Sequence, residues 1–559
     1  MPSNGPFVGV DDEMYNIAAG CKLEMKRLDH YEDRCEQKPR NGMYYMPVPL
    51  PVKARMFIHR DCVHNRVRSM VTRVFLPSVC RISKETLHEV ADDFAISMGC
   101  VTPYTIDEVV LTMKGRKFAR YQRGAVSLVE FPLTRRDSNL VTFGKKDPSD
   151  LYKDYDSAME LLQSAEVYKS ADMRAIQSAG HKAFGVDTPR FNIEVMRYIK
   201  PFEKAWYNAV PCSVNGPTSR MVGKGLSLKD RCDLLFDKMA RFKGPVVISG
   251  DGSRFDARCT YELLKNAEHR LYNSVFKDPW LAQLLNWQLT CKGDGGLFKY
   301  RVHGKRLSGH PNTGLGNCIL MQIMITIALR RFKKYDMLVD GDDALVIVES
   351  EDMLLACASL ESIFTECGHK FVFEPVRRDQ VPEEIFWCQC RPVLTVEGYK
   401  FVRAPGRIIT RLCVGTKLRN ACTRSDMLWS RAMCEFVLNR GTPIIQEFAF
   451  RIVTLLKRKK GKMVFDATEH RYGLMQQELQ SRGLCVDSVL PLKISDEARH
   501  SYFLAFGVPV EVQIEYEYLL SNWTPNLDEA LVLEPPDMIL GSYDWYQPEY
   551  LASGSLELQ

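Results

Sequence analysis

Met337–Glu349 reads MLVDGDDALVIVE, two apolar runs flanking Gly341-Asp342-Asp343. Leu338-Val339 and Ala344–Val348 have the character of short strands, and Asp340-Gly341 between them is a strong tight-turn signal. The pattern predicts a β-hairpin with carboxylates at its tip. Adjacent acids held in such a place repel each other, and a bound divalent cation is the usual compensation. A solvated Asp-Gly turn suits the same residues equally well, so the triplet needs partners.

One partner lies upstream in Gly244–Ala257, GPVVISGDGSRFDA. Val246-Val247-Ile248 fits a buried strand that ends at Asp251, and Asp256 follows five positions later. Laid beside the hairpin, such a strand brings Asp251 near Asp342 and Asp343. Two Mg²⁺ or Mn²⁺ ions about 3.5–4 Å apart on these carboxylates would suit nucleotidyl transfer, activating a hydroxyl and stabilising the leaving pyrophosphate. Alone, Asp251 also reads as a helix N-cap at a strand-to-helix junction.

The other partner is Ser308–Asn317, SGHPNTGLGN, which precedes the apolar run Cys318–Leu329. Small residues such as Gly309 let a nucleic-acid backbone approach closely, and Ser308, Thr313 and Asn317 offer hydrogen bonds.

In order, the three stretches resemble the palm motifs of viral RNA-dependent RNA polymerases: D-x4-D, then SG-x3-T-x3-N, then GDD. The run Lys299–Asn317, KYRVHGKRLSGHPNTGLGN, and the form D-x-SRFD are similar to those of the tombusvirus family and tombus-like viruses. His310 stands where that group often carries an acid, a departure that leaves the role of this position open.

The resemblance implies an α/β right-hand polymerase with fingers, a palm of small antiparallel sheet backed by helices, and a helical thumb. It implies that Asp251, Asp342 and Asp343 hold the two metal ions. Asp256, Asn317, Ser308 and Thr313 would sense the ribose 2′-hydroxyl, because unsatisfied hydrogen-bond partners disfavour a deoxyribose. Lys370 lies near where such polymerases carry a lysine proposed to protonate the leaving pyrophosphate; a solvated strand-edge lysine fits it as well.

Composition bounds these readings. The 559 residues are 45% hydrophobic, enough for a large core and two or three domains. The formal charge is +6, and because Val510 to Gln559 contains no Lys or Arg, the rest is more basic than the total, which favours a polyanionic partner. The 18 cysteines are scattered through apolar runs and read as buried hydrophobes in a reducing compartment; the spacing of Cys388 and Cys390 is wrong for a zinc knuckle. No bilayer-spanning run and no signal peptide is read.

Along the chain, Met1–Leu50 reads as a partly ordered leader. Arg55–Val74 reads as a basic amphipathic helix and Ser83–Met98 as a second helix carrying acids. Gly115–Leu128 interleaves Arg116, Lys117, Arg120 and Arg123 with aromatics, a pattern that holds phosphates while a ring stacks. FGKKD at Phe143–Asp147 and RAIQ at Arg174–Gln177 resemble the family's basic motif at the nucleotide channel, so Lys145, Lys146 and Arg174 are candidate triphosphate contacts. Ser178-Ala179 and an acidic, Tyr-rich insertion before Arg174 depart from that motif, and each of these cations also fits a plain surface charge. Pro189–Lys204 looks like the group's fingers sequence. Arg220 and Lys224 on the Gly-rich Gly216–Ser227 loop suit RNA phosphates, and Leu228–Phe242 and Met353–Cys367 read as helices.

Ile385–Pro392, IFWCQCRP, resembles the family's FCQ-x2-P hairpin beside the primer strand. Beyond about residue 416 the pattern turns helical, and Lys457–Lys462, KRKKGK, is either a phosphate contact or a solvated helix end.

The expected divisions are 1–110 leader and helical extension, 111–245 fingers, 246–395 palm, 396–509 thumb and 510–559 acidic tail. That tail either folds over the basic channel and competes with RNA or remains a solubilising extension.

The function implied is template-directed RNA synthesis from NTPs on single-stranded RNA, giving duplex product. A viral auxiliary protein and indirect attachment to a host membrane would accompany it, in a cytoplasmic replication complex. Two alternatives share parts of the pattern. A reverse transcriptase shares the palm acids, but it prefers a bulky residue where Asp256 stands; a non-catalytic RNA-binding scaffold would keep a degenerate palm.

Overall fold

The structure is a computed structural model that describes residues 20–25, 43–46, 48–50, 57–58, 75–106, 108–109, 140–141, 152–153, 189–210, 215–294, 298–307, 310–415, 421–456, 470–526 and 531–533. Among these, helices and small antiparallel sheets alternate. The elements used below are α1 (Lys84–Met98), α2 (Pro189–Trp206), α3 (Leu228–Met239), β1 (Pro245–Gly252), α4 (His269–Phe276), α5 (Pro279–Gln288), α6 (Thr313–Leu329), β2 (Asp336–Asp340), β3 (Asp343–Glu349), α7 (Met353–Glu366), β4 (Phe371–Phe373), β5 (Cys390–Thr395), β6 (Gly398–Arg403), α8 (Pro405–Cys413), α9 (Ala421–Leu438), α10 (Ile445–Leu455), α11 (His470–Ser481), α12 (Asp496–Phe506) and α13 (Val510–Asn522).

Four strands in the order β4-β1-β3-β2, all antiparallel, form the sheet that carries the predicted hairpin. Its strands are apolar at successive positions because both faces are covered. Ile248, Met337, Val339, Ala344, Val346 and Val348 face one core with α1, α2, α6 and α7. Val247, Leu338, Leu345 and Ile347 face the other, against Leu228, Cys232 and Leu235 of α3, Trp387 and Phe401. Alternation with a period of two therefore divides one strand between two cores. The helix α6 is buried on almost every side, as its uninterrupted apolar run Cys318–Leu329 requires.

A second four-stranded sheet orders Lys22–Met25, Phe298–His303, Thr290–Asp294 and Leu140–Val141, the last pair parallel. The hairpin β5–β6 then leads into a C-terminal helical region, α9–α13, with its own apolar clusters. None of the helices among the described residues is long and apolar enough to cross a membrane.

The expected helices at 83–98, 228–242 and 353–367 are present. Ser83 and Ser227 cap α1 and α3 by accepting N–H bonds from Thr86 and Asp230.

Three expectations differ. Within 55–74 the described residues Phe57–Ile58 form a strand paired with Tyr152–Lys153, not a helix. The division at 510 falls at the start of a packed helix. In α13, Gln513, Tyr516 and Leu520 recur at helical spacing and are buried, and Glu517 pairs with Arg499 of α12 at 2.7 Å. Acid content concealed that periodicity. The 395/396 boundary likewise divides one hairpin, β5–β6.

Candidate active site

The hairpin closes through a two-residue turn, Gly341-Asp342, between the paired residues Asp340 and Asp343. Gly341 takes φ 77°, a left-handed value that a side chain would strain, and its N–H donates to Cys318 Sγ at 3.1 Å. The same residue that follows Asn317 in the second motif thus pins the third. On the other side Asp343 stands opposite Asp251, and the Gly252 N–H donates to the Asp342 carbonyl at 2.9 Å. Asp251 belongs to β1, and the short helix after it, Phe255–Arg258, is preceded by Arg254 at φ 52°, so the N-cap reading of Asp251 does not hold.

Asp343 therefore has a carboxylate-bearing residue opposite it on both neighbouring strands. Burial, then the charges of Asp251, Asp342 and Asp340, push its carboxyl well above the usual range, against a hydrogen bond with Cys388. A group so placed takes a proton or a cation. Oxygen donors of this kind suit the hard ions Mg²⁺ and Mn²⁺. Among the described residues no three His, Cys, Asp or Glu side chains form a ready-made cage. By the chemistry of their oxygen donors, Asp251, Asp342 and Asp343 are the residues that would hold such an ion.

Asp256, on the short helix after β1, accepts a hydrogen bond from Asn317 Nδ2 of α6 at 2.8 Å. The pair joins the first motif to the second. Thr313 is placed differently: its hydroxyl donates to the Leu307 carbonyl at 2.8 Å and holds the loop together. Lys370 is exposed just before β4, and its carbonyl accepts from the Ser253 N–H at 2.9 Å, beside the end of β1. Arg220 donates to the Val222 carbonyl at 2.6 Å and to Asn208 Oδ1 at 2.9 Å, and Lys224 pairs with Asp340. These two cations hold protein groups, whereas the Gly-rich sequence around them suggested a phosphate cradle. Ser308, Gly309, Lys145, Lys146, Arg174, Arg116, Lys117 and the 457–462 cluster lie outside the described residues.

Sequence reasoning missed a buried hub behind the second motif. Glu268 closes a π turn, Leu264–Glu268, and is fully buried. It pairs with Arg306 and accepts from Asn312 Nδ2 at 2.8 Å and Tyr272 OH at 3.1 Å. Burial pulls the Arg306 guanidinium down, and Glu268 more than offsets it, so its pKa is raised. His310 is buried there too, and burial with Arg306 and His269 nearby pushes it down to about 3, so it is neutral. Arg306, His310 and Asn312, all within the quoted run Lys299–Asn317, were the members with a sequence signal.

A family model described as viral RNA dependent RNA polymerase matches residues 37–528. Proteins named RNA-directed RNA polymerase are similar over most of the chain. The one from Pothos latent virus is 29% identical over 496 residues, covering 84% of this chain and 60% of the relative. That of Cucumber necrosis virus is 29% identical over 552 residues, covering 94% and 61%. That of Tomato bushy stunt virus is 28% identical over 524 residues, covering 89% and 58%. The chain thus spans about three fifths of the length of these relatives. The likeness to tombusvirus polymerases, first carried by three short motifs, extends over most of the chain, and the chain belongs to the viral RNA-dependent RNA polymerase family.

Proposed function

We propose that this protein extends an RNA 3′-hydroxyl on an RNA template, attacking the α-phosphate of a nucleoside triphosphate and releasing pyrophosphate. The observation that carries the reading is the register of the central sheet, which opposes Asp343 to Asp251 with Asp342 in the adjoining turn. In this reading the β1–β4 sheet with α6 and α7 is the palm, the preceding elements with α4 and α5 contribute to the fingers, and α9–α13 form the thumb.

Two divalent ions bound there would supply Lewis acidity at the attacking and leaving oxygens. The chain's own residues set the rest. Asp251, Asp342 and Asp343 hold negative charge at the tip of a rigid hairpin, so little reorganisation accompanies catalysis. Asp256 and Asn317 present a preformed hydrogen-bonded pair on the same side of the sheet's end, suited to a ribose 2′-hydroxyl. Lys370, exposed beside β1, is positioned to protonate a leaving phosphate oxygen.

The test is NTP incorporation on a single-stranded RNA template with Mg²⁺ or Mn²⁺. Wild-type protein should give template-dependent product, and Asp342→Asn should give none while still binding RNA. Comparable synthesis by that variant would refute the site. Preference for dNTPs would instead support a reverse transcriptase.

A further inference from the structure

Asp340 is the carboxylate at the hairpin that the polymerase motifs leave without a task. Both of its oxygens are engaged by cations of the protein: Lys224 Nζ pairs with Oδ1, and Arg231 Nη1 lies 2.8 Å from Oδ2. Both cations come from one short stretch, 224–231, and its placement is built into the sheet. Val222 bridges Val339 in parallel, the Gly223 N–H donates to the Val339 carbonyl at 2.9 Å, and the Val339 N–H donates to the Met221 carbonyl at 2.8 Å.

Trp387 closes the other side. The Arg231 guanidinium sits 5.4 Å from its ring centroid, and a Cβ on Gly223 would come within 2.4 Å of its Cη2. Only glycine lets the backbone pass there. Arg231 also reaches the Leu226 carbonyl at 3.4 Å, and its side chain is 7% exposed. A surface cation has no need of such seating.

We infer that Lys224, Arg231 and Asp340 form a positioning clamp that holds Asp340 away from the ion-binding face, leaving Asp251, Asp342 and Asp343 to bind cations. The clamp is therefore neither an RNA contact nor a further metal ligand, and it rests on the polymerase reading only for what the ions then do. Its charges make a signed demand. The four aspartates and two cations leave a formal charge of −2. Removing Lys224 deepens it, and removing Asp340 reduces it. At these partly buried distances a unit charge should change divalent-ion affinity about ten-fold.

Mn²⁺ binding to the full chain, without RNA or nucleotide, tests this by the paramagnetic resonance signal of free Mn²⁺, with Asp342→Asn as background. Lys224→Met should bind about ten-fold more tightly and Asp340→Asn about ten-fold more weakly, with the double variant within about two-fold of wild type. Template-directed incorporation at saturating Mn²⁺ should fall in both single variants and in the double, because the turn loses its Lys224–Asp340 seating in each. Lys224→Arg keeps the charge and should keep wild-type affinity, which covers the case in which the methionine variant fails to fold. Affinity shifts in the same direction, no shift, or a double variant no nearer wild-type affinity than the singles would overturn the clamp. Failure of the wild type to incorporate NTPs would sink the polymerase reading alone, since Mn²⁺ binding is read without RNA.

Discussion

Glu268→Ala is the substitution with the largest stability consequence that the structure singles out. Glu268 is fully buried and Arg306 is 4% exposed, so removing the carboxylate strands a guanidinium out of reach of water. Breaking a buried pair from one side costs about 3–5 kcal/mol. Asn312 Nδ2 and Tyr272 OH, 2.8 and 3.1 Å from the same oxygen, lose an acceptor as well. Each orphaned donor adds about 1 kcal/mol or more, but neighbouring losses do not sum, so about 4–5 kcal/mol is expected for the variant. That is a large share of the roughly 5–15 kcal/mol by which domains are stable. Urea unfolding followed by tryptophan fluorescence reads it directly, because Trp206 and Trp287 lie in the same core. Glu268→Met with Arg306→Met removes both charges together and should cost about 1–2 kcal/mol, since apolar replacements of a buried pair are often near neutral. A loss under about 1 kcal/mol for Glu268→Ala, or a double variant as damaged as the single, would refute the reasoning.

Selectivity and pH supply further tests. Asn317→Ala should lower the preference for NTPs over dNTPs about ten-fold or more in single-nucleotide incorporation, because it removes the partner of Asp256 and leaves the site less able to reject a missing hydroxyl; unchanged discrimination would dissociate the pair from ribose sensing. His269, His310 and His369 are each pushed down to about 3, by burial first and by neighbouring cations. Unfolded histidines titrate near about 6.5, so below that pH the unfolded chain takes up protons that the folded chain refuses, and stability present above pH ~6.5 is lost as pH falls. Each histidine should contribute about 1.2 kcal/mol of that loss between pH ~7 and ~5.5, and Asp343, whose pKa is raised, opposes it. Comparing unfolding midpoints of wild type and His369→Phe at the two pH values isolates one histidine; parallel pH slopes would contradict its neutral burial.

The parts of the site that were legible in the sequence are those with local signals. Two apolar runs around Asp-Gly specify a hairpin whatever surrounds them, and Val246–Ile248 specifies a strand ending in acids. Lys224 was readable only as part of a Gly-rich basic loop, and Arg231 only as part of the helix that follows, because the partner that turns Lys224 inward lies 116 positions away. Asp340 was likewise readable as a turn residue, its partners Lys224 and Arg231 being distant in sequence. Glu268 carried no signal, since a single acid in an amphipathic stretch looks solvent-facing until a π turn rotates it inward. The helix Val510–Asn522 failed for a different reason, its acid content having outweighed an apolar spacing that tertiary packing uses.

The same packing explains why charge collects at the end of the central sheet. Residues 246–248 and 344–348 are fully buried on two faces, so a charge in the middle of either strand would have no solvent and no partner. Carboxylates sit where partners reach them: at the tip, with water, ions, Lys224 and Arg231, and at the start of β2, where buried Asp336 pairs with Lys238 and Arg241. Two unit charges about 5.5 Å apart repel by about 3 kcal/mol at an effective dielectric of about 20. Each fully buried aliphatic side chain contributes about 1.5–3 kcal/mol, and Val246, Val247, Ile248, Leu345, Val346, Ile347 and Val348 together exceed that repulsion several-fold. The two-sided core can therefore hold unlike tasks on one hairpin: its middle fixes register, and that register holds mutually repelling acids opposite each other. Divalent ions suit the remaining charge because relief of the repulsion adds to their binding.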